Sequence, residues 1–247
     1  MSLLDLLKLK KEGEPADEQQ FSVEERGFEK VFKYGNITYS KLRQGSIFTR
    51  EYWDYFIPAA YAYDTPRVLL IGLAGGTVAL QLNTLLKERL SLDVIEISRR
   101  AVELSQQFAP DIRAKIIVGN GAEYVGATDK KYDVIMLDAY TSSSIPEQFL
   151  RRRFIEDAYR ALEEDGLLAI NYAMGLMGIL KFDEYVSRLR ERFHVYKVNT
   201  AIFEGNVIIL CSKRLVKDEL LARITANMQM SKENEHLFSS YGRMSEL

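Results

Sequence analysis

Four interruptions of apolar runs carry the residues with chemical potential in this chain. Gly72-Leu73-Ala74-Gly75-Gly76-Thr77 follows Val68–Ile71, and Glu96 with Ile97 closes the run that begins at Leu92. Gly119-Asn120-Gly121-Ala122 follows Lys115–Val118, and Asp138 ends Tyr132–Leu137. Glycines let a backbone turn tightly and approach a ligand without a Cβ in the way. Glu96 stands 24 positions after Gly72 (96 − 72), where a carboxylate can accept hydrogen bonds from both hydroxyls of a ribose. The Asn120 carbonyl suits an adenine amino group and equally suits a helix N-cap, two roles that do not exclude each other. The Asp138 carboxylate can attract an ammonium or take a proton from an attacking amine; capping or a salt bridge is the plainer alternative.

The glycine turn narrows the choice of nucleotide. The dinucleotide fingerprint places glycines where a pyrophosphate must be cradled. This loop reads G-x-A-x-x-T in that frame, because Ala74 and Thr77 replace the second and third small positions, and it has no Walker lysine. A ligand with a ribose and no pyrophosphate fits better, and S-adenosylmethionine and its relatives are such ligands. The candidate nucleotide-binding residues are therefore Gly72, Ala74, Gly75, Glu96, Ile97, Asn120, Gly121, Ala122 and Asp138.

Strand ends must hold these residues in one plane. From Val68 to Asn171 apolar runs alternate with helical stretches, and runs without alternation are the signature of buried parallel strands. Repeated strand–helix alternation implies right-handed crossovers and a doubly wound sheet, with ligands beyond the carboxyl ends of its strands. Helices are expected over Thr77–Leu90, Ser98–Phe108, Pro146–Glu163 and Gly178–Phe193. Val195–Val198 and Asn206–Cys211, joined through Phe203-Glu204-Gly205, read as a closing hairpin whose last strand is antiparallel. The fold class is α/β: a Rossmann-like methyltransferase sheet of five parallel strands plus a C-terminal antiparallel hairpin. Residues 1–50 read as an N-terminal segment with a small β appendage, 51–215 as the main domain, and 216–247 as a C-terminal helix with a polar, mobile end. Leu3 to Leu9 suggest a short amphipathic helix or a frayed terminus, and residues 52–63 an aromatic helix whose exposed rings are a candidate homodimer surface.

Composition excludes several functions. Among 247 residues, 33 Lys+Arg oppose 35 Asp+Glu, for a net charge of −2, so neither a nucleic-acid nor a membrane-surface partner is expected. The lone Cys211 precludes an intrachain disulfide or a cysteine zinc site, and with two histidines a His-based metal site is not expected. The N-terminus lacks the apolar core of a signal peptide and no run approaches a membrane span, so the cytoplasm is the expected compartment. Arg151-Arg152-Arg153 lies beside Glu147 and Glu156 and reads as a solvated helix face.

These residues resemble the spermidine synthases, the polyamine aminopropyltransferases, in their divergent spermidine synthase-like branch. The matching pieces are Val-Leu-Leu-Ile-Gly at 68–72, Asp-Val-Ile-Glu-Ile at 93–97, Val-Gly-Asn-Gly-Ala-Glu-Tyr-Val at 118–125 and Tyr-Asp-Val-Ile-Met-Leu-Asp at 132–138, continuing from Ile145-Pro146 to Gly166. Gln44 lies where the family has a ligand-contacting glutamine, and Tyr52-Trp53-Asp54 where it has a Tyr-His-Glu triplet. The resemblance implies aminopropyl transfer from decarboxylated S-adenosylmethionine as group donor to a small-molecule acceptor, a polyamine amine, with Asp138 as base and Tyr52 and Tyr140 framing the amine. It also exposes departures. Ala74 and Gly75 offer no carboxylate where the family holds the aminopropyl ammonium, and Thr141 stands where a second aspartate binds the acceptor. Glu51 and Asp54 are the other acids in reach. Methyl transfer to a small molecule and a non-catalytic nucleotide-binding role both stay open beside aminopropyl transfer.

Overall fold

A computed structural model describes residues 20–141, 144–200 and 205–247. The leucines at 3–9, Ser142-Ser143 and the Phe203-Glu204 part of the expected turn lie outside the described residues. Three antiparallel strands open the described chain: β1 (Phe21–Arg26), β2 (Glu29–Tyr34) and β3 (Ile37–Arg43), in the order β1-β2-β3. The first of these carries no alternation strong enough to read from sequence. A 3₁₀ turn (Tyr52–Phe56) and α1 (Ile57–Ala60) then lead into the main sheet.

That sheet contains β4 (Arg67–Ile71), β5 (Ser91–Glu96), β6 (Lys115–Val118), β7 (Tyr132–Leu137), β8 (Leu162–Ala173), β9 (His194–Asn199), β10 (Asn206–Ser212) and β11 (Ser245–Glu246). Its order is β11-β9-β10-β8-β7-β4-β5-β6. Strands β4 to β8 are mutually parallel, and β10 runs antiparallel to both β8 and β9. The five parallel strands and the antiparallel hairpin are those expected from the apolar runs. The chain leaves β4 toward β6 on one side and returns to β7 on the other, so the topological switch lies between β4 and β7.

The connecting helices are α2 (Thr77–Leu86), α3 (Arg99–Phe108), α4 (Gly121–Ala127), α5 (Glu147–Leu150), α6 (Arg152–Ala161) and α7 (Leu176–Arg190). Two of them differ from expectation. The first ends at Leu86 because Lys87 adopts φ +53, and a 3₁₀ turn completes the segment to Arg89. The single helix expected over Pro146–Glu163 is broken at Arg151, whose ψ of 146° is extended, and it stops where Leu162 pairs with Tyr132. The three arginines there pair with Glu147, Glu191 and Asp157, as a solvated helix face should.

Alternate side chains of the strands feed two cores. Val68, Leu70, Val134 and Met136 face the aromatic turn, α2 and the C-terminal segment, while Leu69, Ile71, Ile135 and Leu137 face α5, α6 and α7. The aromatic residues at 52–63 are core rather than an exposed dimer surface: Trp53, Tyr55, Phe56 and Tyr61 are all buried. The polar tail is also ordered, as α8 (Lys217–Asn227), α9 (Glu235–Gly242) and the edge strand β11. Leu220, Ile224, Leu237 and Tyr241 are buried there, each contributing about 1.5–3 kcal/mol by burial, and the Tyr241 hydroxyl donates to the Tyr55 carbonyl (2.8 Å). Among the described residues no helix is long and apolar enough to cross a membrane.

Candidate functional site

Gly72 and Asp138 meet at the switch point. The Gly72 N–H donates to the Ile95 carbonyl and the Asp138 N–H to the Ile71 carbonyl, both at 2.9 Å, so each residue extends its ladder by one bond beyond the strand. Gly72 has φ +97, and a side chain there would collide with the Asp138 carbonyl oxygen. Gly72→Ala combines left-handed strain with that collision and is expected to lower stability by about 3 kcal/mol or more. Denaturant unfolding of the variant measures this, and an unchanged midpoint would contradict it.

The glycine loop is prefolded, and its N–H groups are turned inward. Leu73 and Ala74 donate to Glu96 Oε2 at 2.8 and 3.1 Å, Gly75 to Ser40 Oγ at 3.0 Å, and Gly76 to the Leu73 carbonyl at 2.7 Å. A phosphate cradle needs such donors free and convergent, so this loop does not provide one. The sequence reading against a pyrophosphate ligand has its physical reason here. Gly75 is a contact glycine, because a Cβ would sit 2.8 Å from both Phe32 and Phe108. Ala74 takes φ +48, left-handed and without a carboxylate.

Glu96 is 8% exposed and holds the loop. Besides Leu73 and Ala74 it accepts the Ser98 N–H on Oε1 (2.9 Å). A carboxylate has about four acceptor positions, so with these three filled it retains room for one ribose hydroxyl rather than two. Beside it, Ile97 and Val118 are exposed apolar side chains at the ends of neighbouring strands (54% and 41%). Asn120 caps α4: its Oδ1 accepts from Ala122 (2.9 Å) and Glu123 (3.3 Å), and its Nδ2 donates to Gln148. The capping role is thus the one its carbonyl performs. Gly121 is buried against Ile71 and Phe149, and Ala122 is half-buried in the first turn of α4.

The small sheet contributes residues that sequence reading missed. Lys41 and Thr77 exchange hydrogen bonds at 3.0 and 2.9 Å, and Ser40 receives Gly75, which binds β3 to the loop. The Tyr39 hydroxyl is pushed up to about 12 by burial and by the neighbouring Tyr34 and Glu96, and its ring packs against Tyr34 and the cluster around Phe32 and Phe108. Gln44 is exposed at the end of the same strand, up to about 16 Å farther along an extended chain. The contacts of β3 with the loop run through Ser40 and Lys41, not through Gln44.

Asp138 keeps a small accessible surface, yet protein encloses it closely. Burial pushes its carboxyl up to about 7, against hydrogen bonds from Asn171 and Tyr52 that favour the charged form. Asn171 Nδ2 donates to Asp138 Oδ1 at 2.8 Å. The Tyr52 hydroxyl is held well above its ordinary range by burial and by Asp138 and Tyr140. Tyr140 donates to the Asn171 carbonyl at 2.7 Å and is likewise raised by burial and by Asp138. Both tyrosines stay protonated at neutral pH, and only Asp138 of the three expected catalytic residues can take up a proton there. Asn171 and its partner Asn206 (2.8 Å) had one sequence signal, a polar residue closing the apolar run 167–170.

The other acids are engaged. Asp54 is fully buried and accepts from the Thr49 N–H and hydroxyl, the Arg50 N–H and Gln81 Nε2. Glu51 pairs with Lys41 at 2.5 Å. Thr141 is exposed and closes a small turn with Ser144 through paired backbone bonds of 3.0 and 2.9 Å.

The strand order, the glycine turn after β4, the acid after β5 and the acid at the switch define an α/β protein of the S-adenosylmethionine-dependent methyltransferase fold. Solved structures agree. A spermidine synthase from Thermotoga maritima superposes with a TM-score of 0.63 at 20% identity, over 90% of this chain and 84% of that one. A probable spermidine synthase from Corynebacterium glutamicum gives 0.68 at 17%, over 89% and 91%. The family is decided by sequence: the model of the spermine/spermidine synthase domain matches residues 57–218, and the chain belongs to that family. A polyamine aminopropyltransferase of Streptococcus pneumoniae is 31% identical over 152 residues, 59% of this chain and 50% of that protein. One from Vibrio vulnificus is 32% identical over 111 residues, 42% and 37%. The chain thus spans half or less of these relatives.

Proposed function

We propose that this chain is a spermidine synthase-like transferase that moves an aminopropyl group from decarboxylated S-adenosylmethionine to a polyamine amine. The observation that carries the reading is Asp138: a carboxylate at the switch point, raised to about 7 by burial and held by the Asn171 amide at 2.8 Å. The bound donor would supply a carbon activated by an adjacent sulfonium. Glu96 would accept from a ribose hydroxyl, Ile97 and Val118 would carry the base, and Tyr39 would close the pocket from the small sheet.

An alkyl amine is protonated at neutral pH and has no lone pair to attack with. Asp138 Oδ2 can take that proton because a base works best with a pKa near the working pH. Tyr52 and Tyr140 stay neutral and shape the space around it. Enclosure by these rings keeps water from the carboxylate and strengthens its pull on an ammonium.

One observation favours methyl transfer as a second reading. Ala74 supplies no carboxylate to the loop, and Thr141 supplies none to the acceptor side, so an ammonium loses two expected partners. Calorimetry with decarboxylated S-adenosylmethionine, methylthioadenosine, S-adenosylmethionine and S-adenosylhomocysteine separates the two. The first pair is expected to bind, and putrescine or a longer polyamine to gain an aminopropyl group by mass spectrometry. Binding of the second pair alone would replace aminopropyl by methyl transfer, and binding of none would remove both.

A further inference from the structure

The polar groups behind Asp138 form a chain that crosses the sheet. Asn171 is fully buried on β8 and uses both ends of its amide: Nδ2 donates to Asp138 Oδ1, and Oδ1 accepts from Asn206 Nδ2, each at 2.8 Å. Asn206 begins the antiparallel strand β10, and its carbonyl accepts the Thr200 hydroxyl at 2.5 Å. The Asn171 main-chain carbonyl accepts from the Tyr140 hydroxyl at 2.7 Å.

An amide is nearly symmetric in shape and opposite in its two ends. Turned one way, Asn171 offers Asp138 a donor and favours the carboxylate. Turned the other way, it offers an oxygen, which can pair only with a protonated acid. Asp138 cannot fix this orientation by itself, because it can hold either state. With its NH2 on the far side, Asn206 pairs with the Asn171 oxygen only in the first orientation. We propose that Asn206 is a positioning residue: its NH2 occupies the Asn171 oxygen, which keeps the Asn171 NH2 on Asp138 and so keeps Asp138 available as a base.

The inference rests on the reading of Asp138 as the proton acceptor. The titratable groups facing Asp138 among the described residues are Tyr52, from the aromatic turn, and Tyr140, from its own loop; both are raised and neutral over the range concerned. Neither changes its charge between pH 5 and 9, so the influence of Tyr52 on the carboxylate is the same in wild type and in variants at Asn171 or Asn206.

The test is direct titration of the Asp138 carboxyl by carbon-13 NMR in the intact chain, with Asp138→Asn assigning the resonance. Asn206→Leu removes the donor without adding charge at similar volume, and Asn171→Leu removes the amide itself. Losing a hydrogen bond to a charged group corresponds to about one unit or more of pKa. Both variants are therefore expected to raise the Asp138 midpoint, by about one unit for Asn206→Leu and at least as much for Asn171→Leu. Asn206→Gln, which keeps an amide NH2, is expected to recover part of the shift. A midpoint unchanged in folded Asn206→Leu overturns the proposal, whether or not Asn171→Leu moves it. Near-UV circular dichroism confirms folding, and if Asn206→Leu fails to fold, Asn206→Ala, which also lacks the donor, decides by the same criterion. The measurement needs no turnover, so absent transferase activity would fail the functional reading and leave this result standing.

Discussion

Replacing Asp138 by asparagine is expected to lower kcat/KM by about 10²–10⁴-fold, the usual contribution of a positioned general base, with nucleotide affinity changed only a few-fold. The amide has nearly the shape of the carboxylate and can still accept from Asn171 Nδ2, so the loss isolates proton transfer from packing. Wild-type kcat/KM should rise with pH through about 7, as the carboxyl gives up its proton and becomes competent. The variant should lose that limb.

Stability should move the other way. The folded Asp138 carboxyl sits at about 7, above its ordinary 3.8. Between those values the folded state binds the proton and the unfolded state does not, so stability falls as pH rises across that window. Asp138→Asn removes the group, and its Tm is expected to exceed that of wild type at pH 8, with the gain fading by pH 4. Thermal melts at the two pH values check the sign. A variant no more stable at pH 8 would mean that Asp138 is not held against its solvation, and the argument for a tuned base would go with it.

Glu96→Ala is expected to have the second-largest effect, on two measurements at once. The carboxylate satisfies the Leu73, Ala74 and Ser98 N–H groups, and removal leaves these buried donors unpaired or reliant on entering water. A cost of about 3 kcal/mol follows, or roughly 6–12 °C in Tm for a chain of this size. The same variant loses the acceptor for a ribose hydroxyl, so the affinity for methylthioadenosine should fall at least about tenfold. Glu96→Gln keeps one oxygen for Leu73 and Ala74 but turns an NH2 toward Ser98, so it should fall between the two. Unchanged affinity in Glu96→Ala would move the nucleotide away from this strand end. An unchanged Tm would show that the loop does not depend on Glu96.

The two variants separate roles that look alike in sequence. Glu96 and Asp138 both end apolar strands, and the sequence pattern alone turns both toward a ligand. In the structure Glu96 spends most of its hydrogen-bonding capacity on its own chain, whereas Asp138 is left with few partners and a raised pKa. Asn120 is a similar case, since its carbonyl is occupied by the start of α4. Strand ends collect polar residues both to bind ligands and to finish backbone pairing, and one local pattern serves either purpose.

The sequence by itself determined the layered sheet and the places where its parallel strands end. Buried strands write themselves as unbroken apolar runs, and every such run from Val68 to Ile71 through Tyr132 to Leu137 became a strand with a polar or glycine residue at its carboxyl end. It also placed the switch point, because a doubly wound sheet has its crevice there. Only the tertiary structure decided which groups face one another across that crevice. Ser40 meets Gly75 from a separate small sheet, Tyr55 is core under Tyr241 and His236 of the C-terminal helix, and Asn206 meets Asn171 through an antiparallel register. Periodicity is a property of neighbours in the chain and reports which face of an element is buried. The pairing of an amide with a carboxylate depends on strand order and register, which are set by the packing of the whole molecule.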